Sequence, residues 1–191
     1  MFRQYGLPES ILVDNGPPWG GCGAGRYTRF AAWLMRLGIQ VVHSRPYHPQ
    51  TLGKDERLHR TLKAEVISRY SLQTLDHCQE AFDTWRPIYN QERPHEALQM
   101  SPPATRYQPS SRRFPEPLPP IQYNISDAVR KVQSSGRIYF RNQCFLIGKA
   151  FKGQRVALRP LNPDGDFGVF YSNQRIARIS LDQHNDTVEQ L

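Results

Sequence analysis

The chain has 191 residues, with 25 lysines and arginines against 17 aspartates and glutamates and a formal net charge of +8. This basic excess favours a polyanionic partner, nucleic acid above all, over a neutral ligand. Three cysteines without a C-x-x-C pair argue against a disulfide framework and a cysteine zinc site, and favour a reducing cytosol. The apolar runs are only a few residues long, so we expect no membrane segment and no secretion signal.

The N-terminal residues predict two short strands on either side of a helix. "LPESILVD", residues 7–14, contains a short apolar run that predicts a buried strand ending at Asp14. Apolar residues then recur at helical spacing from Tyr27 until Gly38, which is a typical C-terminal stop. "IQVVH", residues 39–43, is rich in β-branched side chains and predicts the second strand.

Two helices and a proline-rich stretch follow these elements. A loop over residues 44–53 precedes a predicted helix over residues 54–69, and the apolar spacing predicts a further helix over residues 75–90. Eight of the 16 prolines lie between residues 94 and 120. A segment so rich in proline is typical of an extended linker at a domain boundary.

From about residue 125 the pattern changes to five short β runs, punctuated by Gly and Asn-Pro. Such runs at roughly ten-residue spacing are typical of a small closed or nearly closed barrel. We therefore predict an α/β region over residues 1–93, a proline-rich linker over 94–121 and a small all-β barrel over 122–191. The basic excess lies in residues 1–70 and 122–191, which should therefore contact the nucleic acid.

Two carboxylates far apart in the sequence are candidate metal ligands. Asp14 ends a strand and Glu56 begins a helix, so both can converge at one end of a sheet, where paired divalent cations support in-line phosphoryl transfer. Carboxylate oxygens suit Mg²⁺ or Mn²⁺. Arg60 and Lys63 share a helix face with Glu56 and can meet DNA phosphates there. The structural alternative is a turn at Asp-Asn-Gly and a solvated helix face.

Three segments carry a resemblance to a known family. "ILVDNGPPW", "RPYHPQTLGKDERLHRTLKAE" and "YNQERPHEAL" resemble the retroviral-integrase-like transposases of bacterial insertion sequences. That family has a ribonuclease H-like core with an Asp-Asp-Glu metal triad, and the resemblance covers about residues 1–110. It implies DNA integration by metal-dependent strand transfer, with residues 1–93 as the C-terminal part of the integrase core. The small barrel matches the family's general layout, in which it binds DNA or a neighbouring subunit.

The resemblance also implies roles for individual residues. Asp14 becomes the second triad acid and Glu56 the third, both holding the Mg²⁺ or Mn²⁺ of the complete family. Together with the alternation of basic and aromatic residues in the barrel, it predicts a set of DNA contacts: His48, Lys54, Arg57, Arg60, Lys63, Arg93, Arg137, Arg141 and Lys152. Structural alternatives remain for His48 as a turn residue, for Arg93 as part of a helix stop, and for the barrel cations as solvated surface.

In the family the first acid of the triad lies on a strand that precedes the strand carrying the second acid. Residues 1–13, which precede Asp14, contain Glu9 as their one carboxylate. We therefore expect an N-terminally truncated member, poorly stable and inactive alone, that is completed by a second copy or a complementing chain. The resemblance implies a bacterial cytoplasmic, nucleoid-associated protein with no membrane partner. The rival hypothesis is a non-enzymatic DNA-binding or protein-interaction module, and a third is a partly folded product without function.

Overall fold

The computed structural model describes residues 1–20, 27–44, 53–162, 165–181 and 188–190. Contacts divide the chain into two compact units, Met1–Pro46 with Ser111–Leu191 and Tyr47–Ser110. The helices are α1 (Phe2–Tyr5), α2 (Arg29–Arg36), α3 (Gly53–Leu62) and α4 (Leu75–Pro87). The strands are β1 (Ser10–Val13), β2 (Gln40–His43), β3 (Ala128–Lys131), β4 (Arg137–Phe140), β5 (Gln143–Leu146), β6 (Arg155–Pro160), β7 (Asp166–Tyr171), β8 (Gln174–Ser180) and β9 (Val188–Gln190). None of the described helices is long and apolar enough to cross a membrane.

The first unit begins with two parallel strands. β1 and β2 pair along their whole length, with Val13 opposite His43 at one end. Both strands predicted from the sequence are confirmed. Ile11 and Val41 pack against a small cluster, the smaller core, which consists of Leu7, Leu34, Leu37 and Ile39. Because the strands are parallel, their carboxyl ends lie at the same edge of the sheet.

Helix α2 connects this sheet to the rest of the unit. The Thr28 hydroxyl accepts a hydrogen bond of 3.1 Å from a first-turn backbone N–H, which begins the helix. Gly38 follows the helix with a φ of 67° and donates its N–H to a helix carbonyl, as predicted for a C-terminal stop. On one side Leu34 belongs to the smaller core. On the other side Ala32 and Met35 belong to a larger core shared with the all-β region.

The all-β region is a sheet covered by a hairpin. Strands β3, β6, β7, β8 and β9 form an antiparallel sheet in that order, and β4 pairs with β5 separately. Ile138 and Phe145 of the hairpin share the larger core with Val156 and Val169 of the sheet. The five β runs predicted from the sequence are confirmed, but β3 and β9 were not predicted. Among the described strands the ladder has two edges, β3 and β9, so the predicted closed barrel is not found there.

The second unit is helical. α3 continues as a π-helical turn over Lys63–Ile67, and α4 continues as another over Ile88–Glu92. These elements confirm both helices predicted for this part of the sequence. Short 3₁₀ turns follow at Glu96–Leu98 and Pro103–Thr105.

The proline-rich segment is divided between the two units, with residues 94–110 in the second and 111–121 in the first. The predicted division into independently folding domains after residues 93 and 121 therefore remains a prediction. Arg112 donates hydrogen bonds to the backbone carbonyls of Pro8 and Leu37 at 2.9 and 2.6 Å. Phe114 packs against the smaller core. The C-terminal part of the expected linker is thus docked on the first unit.

Two glycines of the all-β region provide a matched test of its packing. Gly136 and Gly153 both have positive φ, 83° and 79°. A Cβ at Gly136 would lie 2.7 Å from backbone atoms of Gly148 and Lys149, whereas one at Gly153 would meet nothing within 4 Å. Both alanine variants carry the left-handed strain of about 1–2 kcal/mol, but only Gly136→Ala adds an overpacking cost of about 1–3 kcal/mol. Urea unfolding measures the difference, and equal losses of stability in the two variants would contradict this packing.

Candidate functional site

Asp14 lies directly after β1, with its side chain exposed to solvent. Three hydrogen bonds fix the backbone around it to the end of β2. The Ser44 N–H donates to the Val13 carbonyl at 2.8 Å, and the Asn15 side-chain amide donates to the Ser44 carbonyl at 2.8 Å. The His43 Nδ1 atom lies 3.2 Å from the Asp14 carbonyl oxygen. The Asp14 carboxylate is therefore accessible to a ligand, while its backbone position is held firmly.

Glu56 lies in the first turn of α3 and is exposed. Arg57, Arg60 and Lys63 are exposed as well, as is Lys54 at the start of the helix. The structure thus presents carboxylates and several cations of α3 to solvent. Such a face can bind a phosphate backbone, and it can equally remain solvated surface.

Asp14 belongs to the first unit and Glu56 to the second. Their convergence on a shared pair of cations, predicted from the sequence, therefore stays a prediction. In the described parts of the chain no group of three or more His, Cys, Asp or Glu side chains could hold a metal ion. His48, a predicted DNA contact, lies outside the described residues.

Arg93 has a structural contact that the sequence did not reveal. Its guanidinium donates two hydrogen bonds to the Glu65 carboxylate, at 2.9 and 2.6 Å, and the Trp85 indole N–H donates a third at 2.8 Å. Arg93 also lies over the Tyr89 ring, 5.8 Å from its centroid. Glu65 therefore connects the turn after α3 to α4 and to the residues that follow it. This geometry supports the structural alternative for Arg93, and its DNA contact stays a prediction.

The predicted cations of the all-β region differ in their surroundings. Arg137 is half-buried, with its guanidinium 3.6 Å from the Cys144 sulfur. Arg141 lies in the β4–β5 turn, and its guanidinium packs over the Phe167 ring at 5.0 Å from the centroid. Lys152 is exposed after a 3₁₀ turn. Arg141 and Lys152 are therefore accessible to a phosphate group, whereas Arg137 is partly buried.

Two further arginines of the sheet are neutralised by carboxylates. Arg159 forms a two-bond pair with Asp127 at 2.9 and 2.8 Å, and Arg178 pairs with Asp166. Hydrogen bonds from these arginines hold the pKa of each partner carboxyl below its usual range. Some cations of the strands are therefore neutralised by carboxylates within the all-β region. No local sequence pattern predicts this pairing, because the acids come from other strands and turns.

Two family models match the chain. Residues 37–103 match the integrase core domain, and residues 127–187 match the C-terminal domain of IS481 family transposases. The chain thus contains one region similar to an integrase core domain and another similar to a transposase C-terminal domain. Glu56 lies in the first matched range, together with the cations of α3, and Lys152 lies in the second. Asp14 precedes both ranges, so its assignment depends on the resemblance of "ILVDNGPPW".

Two relatives share part of the chain. The chain is 28% identical over 103 residues to the insertion element IS476 uncharacterized 39.2 kDa protein of Xanthomonas euvesicatoria, and the match covers 54% of this chain and 28% of that protein. It is 35% identical over 75 residues to the Pol polyprotein of Feline endogenous virus ECE1, which covers 39% of this chain and 6% of the polyprotein. The matched stretches thus span less than a third of either relative. A chain of the simian T-cell lymphotropic virus intasome, solved with PP2A regulatory subunit B56 gamma, matches with a TM-score of 0.44 at 17% identity, covering 99% of this chain and 60% of that one.

The contact between Arg93 and Glu65 can be tested with a variant that keeps the positive charge. We expect Arg93→Lys to lower the free energy of unfolding by about 1 kcal/mol, since lysine cannot form two parallel bonds to a carboxylate. The matched control is Arg60→Lys on the exposed face of α3, which should change it by less than about 0.5 kcal/mol. Urea denaturation measures both. Equal stabilities of the two variants would show that Arg93 has no structural role.

The same carboxylate predicts a pH dependence of stability. Hydrogen bonds from Arg93 and Trp85 lower the pKa of Glu65 in the folded protein. The ion therefore stabilises the fold above the unfolded pKa of roughly 4.3, and this stabilisation disappears as the pH falls through the folded pKa. We expect the stability difference between wild type and Glu65→Gln to be largest near neutral pH and to shrink below about pH 4. Urea unfolding over a pH series measures it, and a constant difference would rule out this ionic contribution.

Proposed function

We propose that the protein takes part in DNA integration as the integrase-core and C-terminal region of a transposase. The observation that carries this proposal is the order of the matched domains along one chain, integrase core first and transposase C-terminal domain second. The net charge of +8 supports DNA as the partner. The reaction would be attack of water or a DNA 3′-hydroxyl on a phosphodiester bond.

The proposed metal ligands are Asp14 and Glu56. Exposed carboxylates suit Mg²⁺ or Mn²⁺, and the firmly held backbone at Asp14 supports this role because a ligand must be oriented before the metal binds. A divalent cation, when bound, activates the nucleophile and stabilises the leaving oxygen. The residues of the chain would position the DNA strand: Arg57, Arg60 and Lys63 on α3 would neutralise backbone phosphates beside Glu56.

The exposed cations of the all-β region would form a second DNA contact. Lys152 and Arg141 are accessible there, and a contact to the phosphate backbone positions the DNA without reading its sequence. We propose that this region acts as the small-barrel DNA-binding module of the family. In that role it would hold the DNA while the integrase core acts on it.

We also propose that the α/β segment is part of a ribonuclease H-like core that another polypeptide, such as a second copy, completes. Leu12 and Val42 are register partners on one face of the β1–β2 sheet, and both are substantially exposed, by 46% and 40%. Parallel sheets are normally covered on both faces. An apolar face of two strands is therefore a surface that a further strand or helix would cover.

The test compares DNA cleavage with DNA binding. Alone, wild type should bind DNA without nicking it; together with the polypeptide that completes the core it should nick supercoiled plasmid in Mn²⁺. Asp14→Asn and Glu56→Gln should each reduce that nicking by about a hundredfold or more, because several kcal/mol of metal-dependent stabilisation are removed. Their affinity for a DNA duplex should stay within about twofold of wild type, since phosphate contacts by Lys and Arg are untouched.

The rival function, a non-enzymatic DNA-binding or interaction module, gives a different outcome. Wild type would then bind DNA without nicking it even when the polypeptide that completes the core is present. Arg141→Glu with Lys152→Glu would abolish binding, whereas Asp14→Asn and Glu56→Gln would leave every readout unchanged.

A further inference from the structure

A cavity of about 220 Å³ lies within the first unit beside β2. α2 contributes one wall, β2 another, and the start of β8 a third. The Gln174 side chain donates a hydrogen bond of 3.1 Å to the Ile39 carbonyl, which holds β8 against the strand. The Tyr27 ring, also in the wall, packs against the Phe151 ring at 5.4 Å between centroids. The cavity is therefore bounded by elements that the fold already fixes.

The walls combine one cation, polar groups and an apolar surface. Arg175, Gln40 and His43 supply hydrogen-bond donors, while Met35 and Tyr27 supply carbon surface. Among the described residues that line the cavity none is an aspartate or glutamate. A cation, an amide and an imidazole facing one small space suit an anion, and the apolar side suits the carbon skeleton attached to it.

Arg175 differs from its neighbours in the sheet. Arg178, three residues further along β8, is paired with Asp166, and Arg159 of β6 is paired with Asp127. In the described part of the chain Arg175 has no such carboxylate partner. The guanidinium donors of an arginine that has no carboxylate partner are available to bind an oxyanion. Phosphate is an oxyanion that guanidinium groups bind well.

The cavity is also next to Asp14. His43 lines the cavity, and its Nδ1 atom lies 3.2 Å from the Asp14 carbonyl oxygen. The volume is below the roughly 300–1,000 Å³ of a drug-sized ligand pocket, which limits the occupant to a small group. We propose that this cavity binds one phosphodiester group, with its deoxyribose, of the DNA strand that reaches Asp14. The proposal rests on DNA being the ligand, as in the proposed function, and adds Arg175 and Tyr27 as contacts that hold the strand.

The first experiment measures how DNA affinity depends on salt. For duplex DNA, the slope of log K against log salt concentration changes by about 0.9 for each phosphate that the protein neutralises. We expect Arg175→Ala to reduce the steepness of this slope by about that amount in the 191-residue protein. Arg113→Ala, which removes an exposed cation outside the cavity, should leave the slope unchanged.

Two further measurements keep the proposal testable if Arg175→Ala fails to fold. Gln40→Glu places a carboxylate in the wall at an exposed position, so it should weaken DNA binding while leaving the thermal unfolding midpoint in place. Photo-cross-linking of wild type to a duplex containing 5-iododeoxyuridine, read by mass spectrometry, should label Tyr27 or His43.

The outcomes separate this inference from the proposed function. If wild type binds DNA, but both cavity variants bind as wild type does and no cross-link forms at Tyr27 or His43, the cavity inference is overturned and the proposed function stands. If wild type binds no DNA under any salt condition, both are overturned.

Discussion

The burial of α2 on two sides is the constraint on which the first unit depends. Leu34 is fully buried in the smaller core, while Ala32 and Met35 are buried in the larger core. A helix with a single apolar stripe could cover only one of these clusters. Because α2 covers both, the parallel strands and the all-β region form one compact unit. The cavity beside β2 exists only because this packing brings the start of β8 next to the second strand.

The sequence predicts an element well where a local pattern determines it. The β runs that correspond to β4 to β8 and the helical spacing that corresponds to α2, α3 and α4 are all readable in this way. β3, with the sequence AVRK, and β9, with three residues, are not, since edge strands are short and carry charge. The closed barrel is inferred from strand spacing alone, and spacing does not determine which strands pair. Likewise, the periodicity of α2 indicates an apolar face but not how many clusters it will cover.

Some features of the candidate site are likewise predictable from local sequence, and others are not. The positions of Asp14 at the end of a strand and of Glu56 near a helix start follow from local pattern, and the structure agrees on both. The engagement of Arg93 by Glu65 joins residues 28 positions apart, and it depends on how two helices pack. The sequence also does not predict that Arg178 pairs with a carboxylate whereas Arg175, on the same strand, has none among the described residues. The difference lies in the antiparallel register, which brings a carboxylate to Arg178.

The docking of the proline-rich segment bears on how such proteins could exchange parts during evolution. Arg112 lies so close to Gly38 that a Cβ there would come within 2.9 Å of the guanidinium, and Arg36 donates a hydrogen bond to the Pro119 carbonyl at 2.8 Å. Just beyond, Ile121 packs on the larger core instead. A recombination junction that kept residues 111–119 together with Arg36 and Gly38 would therefore fall at Pro120. A C-terminal module joined at that point would not bring its own proline-rich segment. The recipient would keep the segment that already fits the end of its own helix α2.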